Sequence, residues 1–145
     1  MTSTSPADLR IATVVPVSDL ARSRTFYEDT LGLAGEPVPD GHVLRAGGGT
    51  LLYLLHNADY AGRADWPLAS VQTHDLPATV AELRDRGVAL EVMDGDPPWR
   101  TDERGIADFG SMLIAWFRDP DGQVISVVQP TLKKDKGAAA TLRPL

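Results

Sequence analysis

The chain has 145 residues, a net charge of −6 and no cysteine. That length fits one domain, or two small modules sharing a core. The missing thiols exclude disulfides, thiolate metal sites and cysteine nucleophiles. The acidic balance argues against nucleic acid or an anionic membrane as partner.

No apolar run approaches the roughly 18 residues of a membrane span. Residues 1–9 read as a flexible polar leader without the features of a signal peptide, so the cytoplasm is the expected compartment. From Arg10 to Val17 the chain reads as a strand. Pro16 lacks a ladder donor, so that strand should lie at an edge or meet a bulge there. Ser18 or Asp19 caps a helix over about 20–31, with Leu20, Phe26, Tyr27 and Leu31 on one stripe and Gly32 as its stop. Short strands are expected at 33–38 and 42–46. Gly47-Gly48-Gly49 then turns into an apolar strand over 50–56. No Gly-Lys-Ser/Thr follows, so the glycines are a hairpin turn rather than a phosphate loop.

A polar connector over 57–67 leads to a second strand at 68–73, a helix capped by Asp75 and stopped by Gly87, and a strand at 88–93. Residues 94–109 form a long loop rich in Pro, Gly and charge. A hairpin then closes the body: two β-prone runs flank Asp119-Pro120-Asp121-Gly122, where proline presets φ, the Asp side chains can bond nearby amides and Gly122 tolerates φ > 0. Residues 131–145 read as a flexible basic tail, with a turn of helix at Ala138-Ala139-Ala140.

The plan runs twice. Val17-Ser18-Asp19-Leu20…Leu31-Gly32-Leu33 and Thr73-His74-Asp75-Leu76…Arg86-Gly87-Val88 share strand, Asp-Leu start, helix and Gly stop, 56 residues apart. The fold class is therefore α+β. One βαβββ module covers about 10–56 and a second about 68–130, within a domain over 10–130. The pseudo-twofold pair forms a curled mixed sheet in which each half must be covered by the other half or by another chain.

With these motifs, together with Phe26-Tyr27, Ala81-Glu82-Leu83-Arg84 and Trp116-Phe117-Arg118, the sequence resembles the vicinal oxygen chelate family over about residues 10 to 129. That family includes glyoxalase I, extradiol dioxygenases, fosfomycin-modifying enzymes and bleomycin-resistance proteins. The resemblance implies a cup, a homodimer with half-sheets paired within or across chains, and in the enzymes a divalent metal on His, Gln and Glu ligands. The places that would carry those ligands fall on Ala12, Tyr53, Leu68 (Trp66 in another register) and Ser126. Ala and Leu cannot ligate, and Ser and Tyr are poor ligands for such metals. The expectation is thus no metal and no cofactor.

Other chemistry is weak. His42, His56 and His74 fall at element ends, where exposed residues are expected. Asp94, Asp96, Asp102, Glu103 and Asp108 read as a solvated loop rather than an acid–base pair, although Asp102, Asp108 or Arg100 could reach a ligand if the loop closes over the cup. The aromatic residues are more informative. Alternation turns Tyr53 and Trp116 into the cup, with Ser70, Met112, Ile114 and Ser126 on its strands and Trp66, Leu68 and Trp99 on its borders. These nine are the candidate ligand-binding residues, and the expected partner is a small hydrophobic or aromatic organic molecule that is bound and sequestered. The alternatives are a metal-dependent or metal-free lyase, isomerase or dioxygenase acting on a small oxygenated substrate, and a dimeric interaction module without a ligand.

Overall fold

A computed structural model describes residues 4–131. The Ala138–Ala140 turn and all but the first residue of the basic tail lie outside them. Among the described residues eight strands form two four-stranded sheets. Sheet A contains β1 (Thr13–Val17), β2 (Ala34–Val38), β3 (Gly41–Arg45) and β4 (Leu51–His56) in the order β1-β4-β3-β2. Sheet B contains β5 (Ala69–Gln72), β6 (Ala107–Asp108), β7 (Met112–Arg118) and β8 (Val124–Pro130) in the order β5-β8-β7-β6. In each sheet the first strand is the edge and runs parallel to the last strand of its module, while the remaining pairs are antiparallel. The duplicated plan and the edge position of the Pro16 strand are as expected from sequence. The two sheets do not join into one.

Local chemistry explains most element ends. The Asp19 carboxylate accepts from Arg22 N–H at 3.1 Å and starts α1 (Leu20–Arg24); Asp75 does the same for Ala78 N–H at 3.1 Å and starts α2 (Leu76–Asp85). Gly32 and Gly87 end the two helical stretches at φ of 81° and 84°. The first stretch is not one α-helix, however. From Thr25 to Thr30 it widens into a π-helix, a change that side-chain periodicity does not reveal.

The expected strand at 88–93 is absent. Leu90 makes one isolated bridge to Phe117, and Glu91 N–H donates to the Trp116 carbonyl at 2.8 Å. The strand that occupies this edge of β7 comes from the expected loop, at Ala107–Asp108. Val92 is largely exposed, so the run lacks the burial that would hold it against β7.

One face of each sheet enters a common core. Val15, Val17, Leu44, Leu52 and Leu54 from sheet A and Ala115, Phe117, Ile125 and Val127 from sheet B pack with Tyr27, Leu76, Val80 and Leu83 from the helical stretches. The helices thus lie between the two sheets' inner faces. Apolar burial of this kind is worth about 25 cal/mol per Å².

The Asp119-Pro120-Asp121-Gly122 turn fastens the halves. Asp119 is buried and accepts from Tyr27 Oη–H at 2.8 Å, Gln123 Nε2–H at 2.8 Å, and the backbone N–H groups of Asp121 and Gln123 at 2.9 and 3.0 Å. Burial, then the Asp119 charge, pushes the Tyr27 phenol well above its ordinary pKa, so it remains a donor. Asp121 accepts from Ser18 N–H and pairs with Arg22 at 3.1 Å. In the other direction Arg86 donates to the Thr30 carbonyl at 3.2 Å.

His42 corrects the expectation of exposed histidines. It is 1% exposed, on the inner side of sheet A, where Nε2 meets the Glu28 carboxylate carried by the π-helix. His56 and His74 are exposed as expected.

Candidate functional site

The outer faces of the sheets are set by the same registers. On sheet B, Ser70, Ser126 and Trp116 are neighbours in one row across β5, β8 and β7, with Ile114 and Val128 in the next. Trp116 is buried there among Ala107, Val124, Met93, Phe109 and Ile114, in a cluster separate from the main core. The loop after α2 supplies the cover. Its Trp99 ring lies nearly parallel to Trp116, at 6.4 Å between centroids and 25° between planes. Phe109 stands edge-on to Trp99 at 5.0 Å and faces Trp116 at 6.3 Å. Trp99 is 57% exposed, so the outer side of this stack is open to solvent.

The loop is held by its own polar residues. Thr101 Oγ1 accepts from Met93 N–H at 2.9 Å, and Asp102 accepts from the N–H groups of Arg104 and Ile106 and from the Arg104 guanidinium. Burial alone would raise the Asp102 pKa, but those bonds outweigh it and hold the carboxyl below its usual value. Asp108 accepts from Gly110 N–H at 2.8 Å, and Arg100 donates to the Gly95 carbonyl at 3.0 Å. Asp102, Asp108 and Arg100 are thus occupied in shaping the loop, and no acid–base pair forms from them.

Of the nine candidate residues, the structure brings Trp99, Ile114 and Trp116 together, with Ser126 and Ser70 beside Trp116 in the row. Met112 lies two residues further along the same face of β7. The other three fall elsewhere. Leu68 packs against the main core, because its N–H bonds the Val124 carbonyl and draws it inward. Trp66 is 65% exposed on the connector. Tyr53 lies on the outer face of sheet A beside Val14 and Val43, and its hydroxyl donates to the Pro39 carbonyl at 3.2 Å. Tyr53 and Trp116 therefore do not face one another within a chain. Met93 and Ala107 join the Trp116 cluster although sequence reasoning missed them; only a loop folded back over β7 brings them there.

The metal places fail the same chemical test in three dimensions. Ala12 precedes β1, Leu68 belongs to the core side, and Tyr53 and Ser126 stand on outer faces of different sheets. Among the described residues no three His, Asp or Glu side chains gather into a group that could hold a metal ion. This donor set does not fit the hard or borderline divalent metals of the related enzymes. Among the described residues no helix is long and apolar enough to cross a membrane.

A cavity of about 480 Å³ lies on the inner side, away from the aromatic stack. Tyr27, Leu52, Val71, Leu83, Phe117 and Val127 are among its lining residues, and they come from both halves.

Comparison with known proteins gives relatives of two kinds. A protein of Synechocystis sp. named "Probable lactoylglutathione lyase" is 29% identical over 139 residues, covering 85% of this chain and 96% of its own. The structure of TnmS3, an antibiotic binding protein from Streptomyces sp. CB03234, is 29% identical, with a TM-score of 0.56 over 85% of this chain and 98% of its own. A bleomycin resistance determinant encoded on the transposon Tn5 shares the fold at a TM-score of 0.64 and 20% identity, covering 85% of this chain and 98% of its own. The family model described as Glyoxalase/Bleomycin resistance protein/Dioxygenase superfamily matches residues 10–127. The chain belongs to that superfamily.

Proposed function

We propose that this protein binds and sequesters a small, flat, partly aromatic organic molecule, without a metal, on the outer face of sheet B. The observation that carries this reading is the near-parallel Trp99–Trp116 pair walled by Phe109. Aromatic rings at these separations attract one another and any flat π-system that slides between or over them. One indole is fixed in the sheet and the other sits on an open loop, so the upper ring can follow a ligand while the lower one anchors it. The hydroxyls of Ser126 and Ser70 in the Trp116 row offer donors to a carbonyl or hydroxyl at the ligand's edge. Antibiotic binding by the 29%-identical TnmS3 supports the ligand class, and the poor donor set supports the absence of metal chemistry.

The test is a tryptophan-fluorescence titration with a panel of polycyclic aromatic antibiotics, run on the wild type and on Trp116→Ala. Saturable quenching that the substitution abolishes supports the reading; a panel that leaves the fluorescence unchanged overturns it. The lyase reading rests on the Synechocystis relative. It requires conversion of a glutathione hemithioacetal by the purified chain supplied with divalent metal.

A further inference from the structure

We infer that the cavity between the two halves is a second binding site, separate from the aromatic stack, for a neutral and largely aliphatic molecule with one polar head group. This inference goes beyond the function proposed above and does not rest on it.

The cavity follows from the residues that meet there. Thr13, Ala46, Gly47 and Ala69 are among those lining it, and side chains this short leave space that a close-packed interior would otherwise fill. At Gly47 an added Cβ would meet no atom within 4 Å, so the backbone there borders open space. The volume is about 480 Å³. That falls within the roughly 300–1,000 Å³ of small-molecule sites and is about three times the ~150 Å³ apolar cavity that admits benzene.

Its chemistry changes with depth. Leu52, Leu83, Phe117, Ile125 and Val127 line its buried part, each at most 9% exposed. The more exposed lining residues stand on β1 and β5, the end strands of their sheets, and include Thr13, Ser70 and Gln72. Among the described residues none of these three side chains has a hydrogen-bond partner, so two hydroxyls and an amide are free to donate or accept at the rim. The deeper polar side chains are already committed: the Tyr27 hydroxyl to Asp119, the Thr50 hydroxyl to the Gly47 carbonyl at 2.6 Å and the Thr79 hydroxyl to the Asp75 carbonyl at 3.0 Å. Although the chain carries 14 basic and 20 acidic residues, no Asp, Glu, His, Lys or Arg of the described residues lines the cavity. A charged ligand would lose its hydration there without gaining a counter-charge, a penalty that a neutral one avoids.

The walls also separate this ligand from the one proposed for the outer face. Tyr27 and Phe117 are the aromatic residues lining the cavity. Both rings pack on Phe26, in an edge-on contact at 5.2 Å and a tilted one at 6.2 Å, so the cavity has no near-parallel ring pair to sandwich a flat molecule. Branched aliphatic side chains make up the rest of the buried wall, and they suit a flexible hydrocarbon body. An aliphatic chain inside and a hydroxyl head among Thr13, Ser70 and Gln72 match both zones.

The test is calorimetric titration of the full chain with n-decanol and, at pH 8, with decanoate, which has the same chain length and a charged head. Saturable binding of n-decanol is expected, with decanoate at least about tenfold weaker. Val71→Trp and Thr13→Phe enlarge partly exposed lining residues on opposite walls. Each should weaken n-decanol at least about tenfold while unfolding as cooperatively as the wild type. Should either variant fail to fold, nuclear Overhauser contacts between the decanol methyl group and the Phe117 ring in the wild type locate the ligand directly. Titration of Trp116→Ala separates the two sites, since n-decanol should bind it as it binds the wild type. Absence of saturable binding, equal affinity for decanoate, no contact with Phe117, or loss of n-decanol binding in Trp116→Ala would each overturn the second site. Failure of aromatic ligands to bind would overturn the function proposed above and leave this one standing.

Discussion

Between β3 and β4 the first half of the chain turns on Gly47-Gly48-Gly49, which has no side chain to offer. At the corresponding place the second half has Asp119-Pro120-Asp121-Gly122, whose carboxylates hold Tyr27, Ser18 and Arg22 of the first half. The outer faces differ as sharply. The second half folds a loop back over β7 and builds an aromatic stack on that face, whereas among the described residues no ring pair stands on the outer face of sheet A. A duplicated βαβββ plan therefore supplies the frame, and the departures from the duplication supply both the fastening between halves and the candidate site.

Substitutions can break each side of this comparison. Asp119→Ala removes the acceptor of four hydrogen bonds and leaves the Tyr27 hydroxyl and the Gln123 amide without their buried partner. It should cost about 3 kcal/mol or more in urea unfolding. A loss under about 1 kcal/mol would mean that the turn is not the fastening between halves.

Gly35→Ala probes the equivalent weak point of the first half. A Cβ there would crowd the Glu28 carboxylate and lie 2.5 Å from Nε2 of the buried His42, so the pair must shift. The expected loss is about 1–3 kcal/mol, the usual range for overpacking, read from the same unfolding curves.

The Glu28 carboxylate gives a smaller, pH-dependent effect. Burial disfavours its charge, but hydrogen bonds from Arg24 and His42 outweigh that and lower its pKa from the ordinary 4.5. A depressed carboxylate pKa contributes stability above the unfolded value and loses it as pH falls through the folded one. The stability difference between the wild type and Glu28→Gln should therefore be constant above pH 4.5 and shrink below it. A difference that grows on acidification would contradict the assignment.

Trp99→Ala should have the smallest effect on folding, within about 0.5 kcal/mol, because the ring is largely exposed. Its effect on ligand affinity should be larger, about two- to tenfold, the measure of one aromatic pair. Equal losses of stability and affinity would mark Trp99 as a structural cover rather than part of the site.

How much of this was legible in the sequence follows from the range of the forces involved. Helix starts at Asp19 and Asp75, stops at Gly32 and Gly87, and the Asp-Pro-Asp-Gly turn are local chemistry, and each stands where the residues put it. Alternation puts Met112, Ile114 and Trp116 on one face of β7, and the strand register sets Ser126 beside Trp116. It could not tell that Tyr53 faces the other way, because alternation fixes faces within a sheet and not between sheets. The strand expected at 88–93 failed for a related reason: only packing against β7 decides whether 88–93 or Ala107–Asp108 takes that edge. His42 read as an exposed strand end, and its burial depends on a carboxylate that a π-helix brings over it.

The central claim is that a stacked indole pair, and not a metal, holds the ligand. It is tested most directly by titrating polycyclic aromatic antibiotics into the protein with and without a strong chelator, following tryptophan fluorescence. The account predicts saturable quenching that is the same in both conditions and lost in Trp116→Ala. Binding that disappears with the chelator, or that survives Trp116→Ala unchanged, would contradict it.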